Sequence, residues 1–426
     1  MSGKLVTFAK TAKKKYGGVV GRADITPTND RRLPTGSFSL DLALGGGYRV
    51  GWVTSLYGEK SGGKTTSAIR GLSIAQNFCR NCYRPVMDVQ AVEPSKEDLN
   101  EDPDARWSAT GTCDCYKAGL YVPEEPIREK EEKAADYRDR VEAWRKRLQK
   151  NSYEELVTSW VDPEGTFDKK YATDLGMDCR RVLYVRPESA EEGIDILHAL
   201  VCTVEVDFLA LDSIANLVPM SELSSSMVEW QQGLQARLMN KAIRKLISGS
   251  SMVARQHRAI TQIWINQVRD KIGTVYGDPT VKPGGKGQEF AVCAEIKFGK
   301  SAVEYGESVY GSKEKKEVDR IPKRETFFFE VTKNKTAGTK KVTGRYTQLM
   351  RTTKEGKKGA VVELDDVYKR VMMSLVKLKK NSKGKYVLLN KEYSSQKAIL
   401  DSLKDDPVFY EKVKKTLLDL MLEGVR

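Results

Sequence analysis

The chain has 426 residues, 40% of them hydrophobic, and a formal net charge of +14. That length holds two or three domains and a sizeable core, and no apolar run approaches the ~20 residues that cross a bilayer, which excludes a helical membrane protein. The basic excess points to a polyanionic partner, whether nucleic acid, a ribosome or a membrane surface.

Residues 4–16, KLVTFAKTAKKKY, read as a short basic helix, followed by a Gly-rich turn and a polar linker up to Arg32. The opening stretch has basic residues but no apolar h-region, so a cytoplasmic location is expected. The seven cysteines are then expected as thiols or metal ligands rather than disulfides. From PTGSFSLDLALGGGYRVGWV onward, apolar runs punctuated by glycine suggest the buried strands and tight turns of an α/β domain.

A short strand-like run, VTSLY, leads into GEKSGGKTT and then into a helical stretch, SAIRGLSIAQ. Gly58, Gly63, Lys64 and Thr65 complete the pattern G-x-x-x-x-G-K-[ST]. Its glycines let backbone N–H groups turn toward phosphates; the lysine would reach the β/γ-phosphates and Thr65 would hold Mg²⁺. The whole loop, Gly58, Glu59, Lys60, Ser61, Gly62, Gly63, Lys64, Thr65 and Thr66, is the candidate ATP cradle.

Residues 79–150 break this rhythm. Cys79-x-x-Cys82 and Cys113-x-Cys115 form two close thiol pairs. They suit a tetrahedral Zn²⁺ site, with plain reduced thiols or a redox role as the other readings. A densely charged run follows, in which Ile127, Ala134, Val141 and Leu148 recur every seven residues. That is a heptad-like seam on a helix opened by Pro126, packed on its own domain or on a partner. Cys179, Cys202 and Cys293 lie in apolar contexts and are expected in the core.

TSWV reads as a strand that leads into VDPEGTFDKKYATDLGMD. It offers Glu164 at a strand's C-terminal edge, where a parallel sheet has its nucleotide crevice; a plain surface glutamate is the other reading. VDFLALDSIANLV (206–218) and AITQIWINQ (259–267) read as further buried strands. The first would deliver Asp212 to the second shell of Mg²⁺. Between them QGLQARLMNKAIRKLI reads as a helix with Leu234, Leu238, Ala242, Ile243 and Leu246 on one face. Helices between strands imply βαβ units and a mostly parallel sheet. RDKIGTVYGDPTVKPGG (269–285) is a long loop punctuated by Gly and Pro, with basic residues and one exposed-looking aromatic, Tyr276. Such a loop suits phosphate contacts and wedging between bases. The stretch from Lys341 to Arg426 carries 20 Lys/Arg against 11 Asp/Glu, a phosphate-binding surface or a solvated lysine-rich face.

PTGSFSLDLALGGG, GEKSGGKTT, DPEGTFDKKYATDLGMD, LALDSIANLVP, INQVRDKIGTVYGDPTVKPGG and VTKNKTAG occur in one order, and by them the chain resembles the RecA-type DNA recombinases over most of its length outside 79–150. The resemblance implies an α/β fold with a RecA-like phosphate-loop ATPase core. It makes Glu164 similar to the glutamate that activates water, and Asp168 and Tyr171 to the positions that contact and stack on adenine. Gln267 matches the glutamine that senses the γ-phosphate, and the lysine pair Lys333 and Lys335 matches the pair that reaches a neighbouring protomer's ATP. The loop 269–285 resembles the second DNA-binding loop, including Gly284 and Gly285, and 222–233 takes the place of the first. Arg237, Arg244 and Arg269 fall where the family contacts the DNA backbone.

The division this implies is an N-terminal oligomerisation helix and linker (1–32), a core (33–344) interrupted by the insertion 79–150, and a basic DNA-binding C-terminal domain (345–426). That last region ends in LMLEGVR, where many family members carry an acidic tail, and the insertion suggests a divergent, bacteriophage-encoded member. The expected function is ATP-dependent homologous pairing and strand exchange in filaments on single-stranded DNA, acting on homologous duplex. The alternatives are a hexameric helicase of the same superfamily or a regulatory ATPase without DNA.

Overall fold

The computed structural model describes residues 31–80, 83, 155–203, 205–224, 234–254, 260–270, 280–283, 285, 287–305, 322–335, 341–352, 357–363, 367–368, 371, 379–381 and 384–423. The expected helix at 4–16, the heptad-like segment, Cys82, Cys113, Cys115, Tyr276 and Gly284 lie outside them. Cys79 is described, buried and bridged through its backbone to Glu155.

The described elements open with β1 (Arg32–Leu33), α1 (Phe38–Leu44), β2 (Tyr48–Arg49), β3 (Val53–Gly58) and α2 (Lys64–Ala75). Next come β4 (Thr158–Val161), α3 (Lys169–Asp174), β5 (Val182–Val185), α4 (Ala190–Cys202), β6 (Phe208–Leu211), α5 (Met220–Ser224) and α6 (Leu234–Ala254). The chain continues through β7 (Thr261–Gln267), β8 (Arg269–Asp270), β9 (Thr280–Val281), α7 (Gly287–Ala291), β10 (Ala294–Phe298) and β11 (Ala302–Tyr305). It then runs through β12 (Pro322–Asn334), β13 (Val342–Leu349), β14 (Val361–Val362), β15 (Lys379–Lys380), β16 (Tyr386–Leu388), β17 (Lys391–Tyr393), α8 (Gln396–Asp405) and α9 (Pro407–Glu423).

Ten strands form one sheet in the order β14-β13-β12-β10-β3-β7-β6-β4-β5, with β11 added beside β12. From β10 to β5 every pairing is parallel; β11, β12, β13 and β14 extend the sheet antiparallel. The fold is α/β with a mixed, mostly parallel central sheet. The parallel strands are buried on both faces, which is why their sequences read as continuous apolar runs. Side-chain alternation then divides each strand between two cores. Phe208, Ala210, Ile263 and Ile265 join Leu56, Ala68 and Leu72 of β3 and α2 on one face. Leu209, Leu211 and Trp264 join Leu197 of α4 and Met239, Ile243 and Leu246 of α6 on the other.

Two sequence expectations need correction. The run 206–218 is not one strand: β6 stops at Leu211 and a 3-10 turn follows at Ile214–Asn216. Cys202 is exposed and Cys179 half-buried, leaving only Cys293 of that trio in the core. Cys202 lies one turn beyond His198, its Sγ 3.6 Å from the ring Nε2, on the outer side of the amphipathic α4. β13, which spans the division expected at 344/345, pairs with β12 from Val342 to Leu349.

A third apolar cluster gathers Val367, Leu388, Ile399, Phe409, Val413 and Leu417 around Phe38 of α1. Phe38 is held there by its backbone N–H, which donates to Glu363 Oε1 at 2.5 Å. Glu363 also pairs with Lys414 of α9 at 3.2 Å. One turn along α1, the buried Asp41 accepts the Thr35 N–H at 2.7 Å. Burial pushes the Asp41 carboxyl up to about 7, against the pull of the Thr35 hydrogen bonds and the Lys414 charge. Its folded value lies above the ordinary 3.8, so the folded chain retains a proton that the unfolded chain releases, and stability is lost as pH rises through that window. Asp41→Asn keeps an acceptor for Thr35 and removes the titration. In urea unfolding, its advantage over the parent should grow from about pH 4 to about pH 7 and level off above; parallel pH curves for the two proteins would contradict the assignment.

Candidate active site

Parallel pairing brings the C-terminal ends of β3, β4, β6 and β7 to one edge, where ligand crevices form in such sheets. At the end of β3 the chain turns at Gly58, with φ 136°. A Cβ there would lie 2.0 Å from the Phe298 carbonyl oxygen of β10, so the close approach of the two strands requires glycine. Gly63 caps α2 without a side-chain hydrogen bond, leaving the helix N-terminus with backbone N–H groups to offer an anion. Lys64 is buried at this start, and its Nζ donates to the Gly58 carbonyl at 3.1 Å and to the Glu59 carbonyl. Burial draws its pKa below the ordinary lysine value, opposed by the charges of Asp212 and Glu59. A triphosphate fits this arrangement: a glycine cradle, a helix N-terminus and a lysine that, among the described residues, hydrogen-bonds carbonyls of its own loop.

Thr65 Oγ1 donates to Asp212 Oδ2 at 2.8 Å, joining the first turn of α2 to the residue that follows β6. Burial raises the Asp212 carboxyl to about 6; the Thr65 hydrogen bond works against this, and the neighbouring Glu164 and Asp162 charges add to it. Thr65 and Asp212 are the residues that would hold Mg²⁺. Glu164 is exposed three residues beyond β4, and β4 and β6 are adjacent.

Asp162 is the residue that sequence reasoning missed. It is buried and accepts hydrogen bonds from Gly165 N at 2.7 Å, Phe167 N at 2.9 Å and the Tyr184 hydroxyl at 3.0 Å. It therefore shapes the turn that displays Glu164. The signal was present, since Asp ahead of Pro and Gly marks an Asx-type turn. Asp168 caps α3 by accepting Tyr171 N at 3.0 Å, and the Tyr171 hydroxyl bonds Thr66 Oγ1 at 2.8 Å, placing Tyr171 beside the phosphate loop.

Gln267 ends β7, exposed and in register with Gly58. The loop it leads into is closed at its base. Arg269 pairs with Val281, and buried Asn266 donates through Nδ2 to the Pro283 carbonyl at 2.9 Å and to Gln288 Oε1 at 3.0 Å. Gln288 Nε2 donates to the same carbonyl at 2.6 Å. Gly285 turns the chain with φ 79°. Beyond it, Lys333 donates to the Glu289 carbonyl and Lys335 to the Phe290 carbonyl at 2.9 Å. The two lysines of K-N-K thus reach consecutive carbonyls of α7. Beside them is a groove of ≈ 630 Å³ lined by Arg237, Asn240 and Arg244 of α6 and by Gly287 and Phe290 of α7. Arg237, Arg244 and Arg269 are exposed.

A phosphate loop on a parallel sheet, with carboxylates at neighbouring strand ends, defines a phosphate-loop nucleotide-binding protein. The chain belongs to the RecA family. The RecA N-terminal domain model matches residues 146–328, and Protein RecA of Chlorobaculum parvum is 31% identical over 317 residues, covering 72% of this chain and 67% of that one. Protein RecA of Thermus aquaticus is 30% identical over 314 residues, covering 72% and 68%. That of Chloroherpeton thalassium is 32% identical over 291 residues, covering 67% and 58%. The chain thus spans 58% of the length of one of these relatives and about two thirds of the others.

Replacing Asp162 with Ala leaves two backbone N–H groups and a tyrosine hydroxyl without their acceptor. Each such loss costs about 1–3 kcal/mol when the group stays buried. The variant should unfold at lower urea concentration and be cut by protease within 163–168; unchanged stability and protection would show that the turn does not depend on this carboxylate.

Proposed function

We propose that the protein is an ATP-hydrolysing DNA-strand-exchange protein that polymerises on single-stranded DNA and pairs the bound strand with homologous duplex. One observation carries this reading: the connection bearing the loop 269–285 joins β7 to β10, the two strands on either side of the phosphate-loop strand β3, and it runs beside the arginine groove of α6. A nucleotide at the end of β3 and a polyanion on the loop would act on the same hydrogen-bonded backbone.

In this reading Lys64 and the loop from Gly58 to Thr66 hold the phosphates, and Asp168 and Tyr171 hold the adenine. Mg²⁺, held by Thr65 with Asp212 behind it, supplies charge neutralisation at the phosphates. Glu164 orients and polarises the attacking water. Gln267 senses the γ-phosphate, and its position opposite Gly58 supports that role. Arg237, Arg244 and Arg269 contact the DNA backbone, Gly284 and Gly285 let the chain approach it closely, and Tyr276 stacks on bases. Lys333 and Lys335 act on the ATP of a neighbouring protomer, so that hydrolysis is completed only in the polymer. Burial, with Lys335 beside it, holds Lys333 below the ordinary lysine pKa, a state that an incoming phosphate would relieve. A Zn²⁺ held by Cys79, Cys82, Cys113 and Cys115 would order the insertion and take no part in this chemistry. A ring helicase and a DNA-independent ATPase are the rivals. Electron microscopy separates filaments from rings, and single-stranded DNA stimulation of turnover excludes the second.

Glu164→Gln should keep ATP binding and assembly while hydrolysis falls by ~10²-fold, the scale of a lost general base. Lys333→Ala with Lys335→Ala should lose DNA-stimulated hydrolysis. Mixed on one DNA, the two defective proteins should regain part of the activity, because some interfaces then pair an intact glutamate with intact lysines. No recovery in co-assembled filaments would refute action across the interface.

A further inference from the structure

Lys282, at the exit of the loop 269–285, is not used by the function proposed above, yet it is held by two carboxylates and an aromatic ring. Its Nζ lies 2.9 Å from Glu295 Oε1 and 3.3 Å from Glu289 Oε1, and 4.5 Å from the centroid of the Tyr57 ring. Tyr57 is the residue before Gly58, and its hydroxyl bonds Thr332 Oγ1 at 3.0 Å. Glu295, in turn, is the register partner of Lys333 across β10 and β12, and Thr332 Oγ1 donates to its carbonyl at 3.4 Å. One buried carboxylate therefore stands between two cations: the loop-exit lysine that holds it, and the first lysine of K-N-K.

The charges are coupled as this geometry requires. Burial works against the Lys282 ammonium, but the hydrogen bond and charge of Glu295, with Glu289 behind it, hold its pKa above the ordinary value. For Lys333 the same carboxylates act upward and Lys282 acts downward, while burial and Lys335 prevail. A buried carboxylate stripped of its cation is costly and takes the nearest replacement. Here that replacement is Lys333.

We infer that Lys282 is a positioning residue for the trans-acting lysines: by occupying Glu295 it keeps that carboxylate from capturing Lys333, which then, among the described residues, holds only the Glu289 carbonyl dipole, so that the place of Lys282 at the loop exit sets whether Lys333 is available to a neighbouring protomer's phosphates. The inference rests on the reading of Lys333 and Lys335 given above. It assigns to Glu295 the inhibitory role, since this carboxylate would sequester Lys333 whenever Lys282 leaves.

The test is ATP turnover at saturating poly(dT), with the KM for ATP measured alongside, in full-length proteins checked by thermal melting. Lys282→Met should lower DNA-stimulated kcat by about tenfold, equivalent to ~1.4 kcal/mol, and leave the KM for ATP within about twofold of the parent. Glu295→Gln should stay within about twofold of the parent in both. The double variant should recover the kcat lost in Lys282→Met, because the carboxylate that captures Lys333 is gone. A structural anchor would give no such rescue, as the double variant loses both halves of the contact. Parent-like kcat in Lys282→Met, or a double variant as impaired as Lys282→Met, overturns the inference while the lysine reading stands. Full DNA stimulation in the Lys333→Ala, Lys335→Ala protein overturns the lysine reading and this inference with it.

Discussion

The structure depends on where β3 lies in the sheet. It pairs with β7 on one side and β10 on the other, and Gly58 is in register with both Gln267 and Phe298. The chain between those two strands is a single connection, β8, β9 and α7 included. A connection rooted on both sides of the phosphate-loop strand ties its two neighbours together, and close-packed interiors transmit displacement rather than absorb it. The requirement for glycine at 58 follows from the same crowding.

The antiparallel strands serve the same centre from the other side. The helix that follows the phosphate loop is fastened to them: Ser67 Oγ bonds the Tyr346 hydroxyl at 2.6 Å, and Arg70 Nη2 donates to Gln348 Oε1 and to the Gly359 carbonyl, both at 2.7 Å. These are polar bonds in an otherwise apolar interface. Burial raises the Tyr346 hydroxyl to about 12, against the charge of Arg70, so both tyrosine and hydroxyl partner stay neutral. Apolar packing alone would let α2 slide on the sheet; directional bonds to β13 define one seat. The strand beside β13 is β12, which carries Lys333, so the phosphate-loop helix and that lysine share one scaffold.

Sequence reasoning recovered what is local. The phosphate loop, its strand and its helix are contiguous, and double-faced burial writes itself into β3, β6 and β7 as unbroken apolar runs. It failed where identity is set by distant partners. Asp162 drew no notice because Glu164, two residues on, has the more familiar chemistry, and only the fold shows the three donors converging on the aspartate. Lys282 reads as one basic residue in a flexible-looking loop; its meaning comes from Tyr57 and Glu295, supplied by two other strands. Cys202 was misjudged for the opposite reason: its apolar neighbours in sequence belong to the buried face of α4, and the helical period turns this position outward.

Lys333 and Lys335 illustrate how far a single chain can satisfy its own charges. Both donate to carbonyls of α7, which are dipoles and supply no neutralising charge. The carboxylate nearest Lys333 in register, Glu295, is bound to Lys282. Two cations held two residues apart repel each other, and burial of Lys333 makes that repulsion stronger than water would allow. In the function proposed above an external anion relieves this repulsion: a phosphate group presented across an interface would supply the charge that the carbonyls lack. On that proposal the site would be complete only when a second protomer arrives, and the unneutralised charge in one chain would be the reason hydrolysis depends on polymerisation.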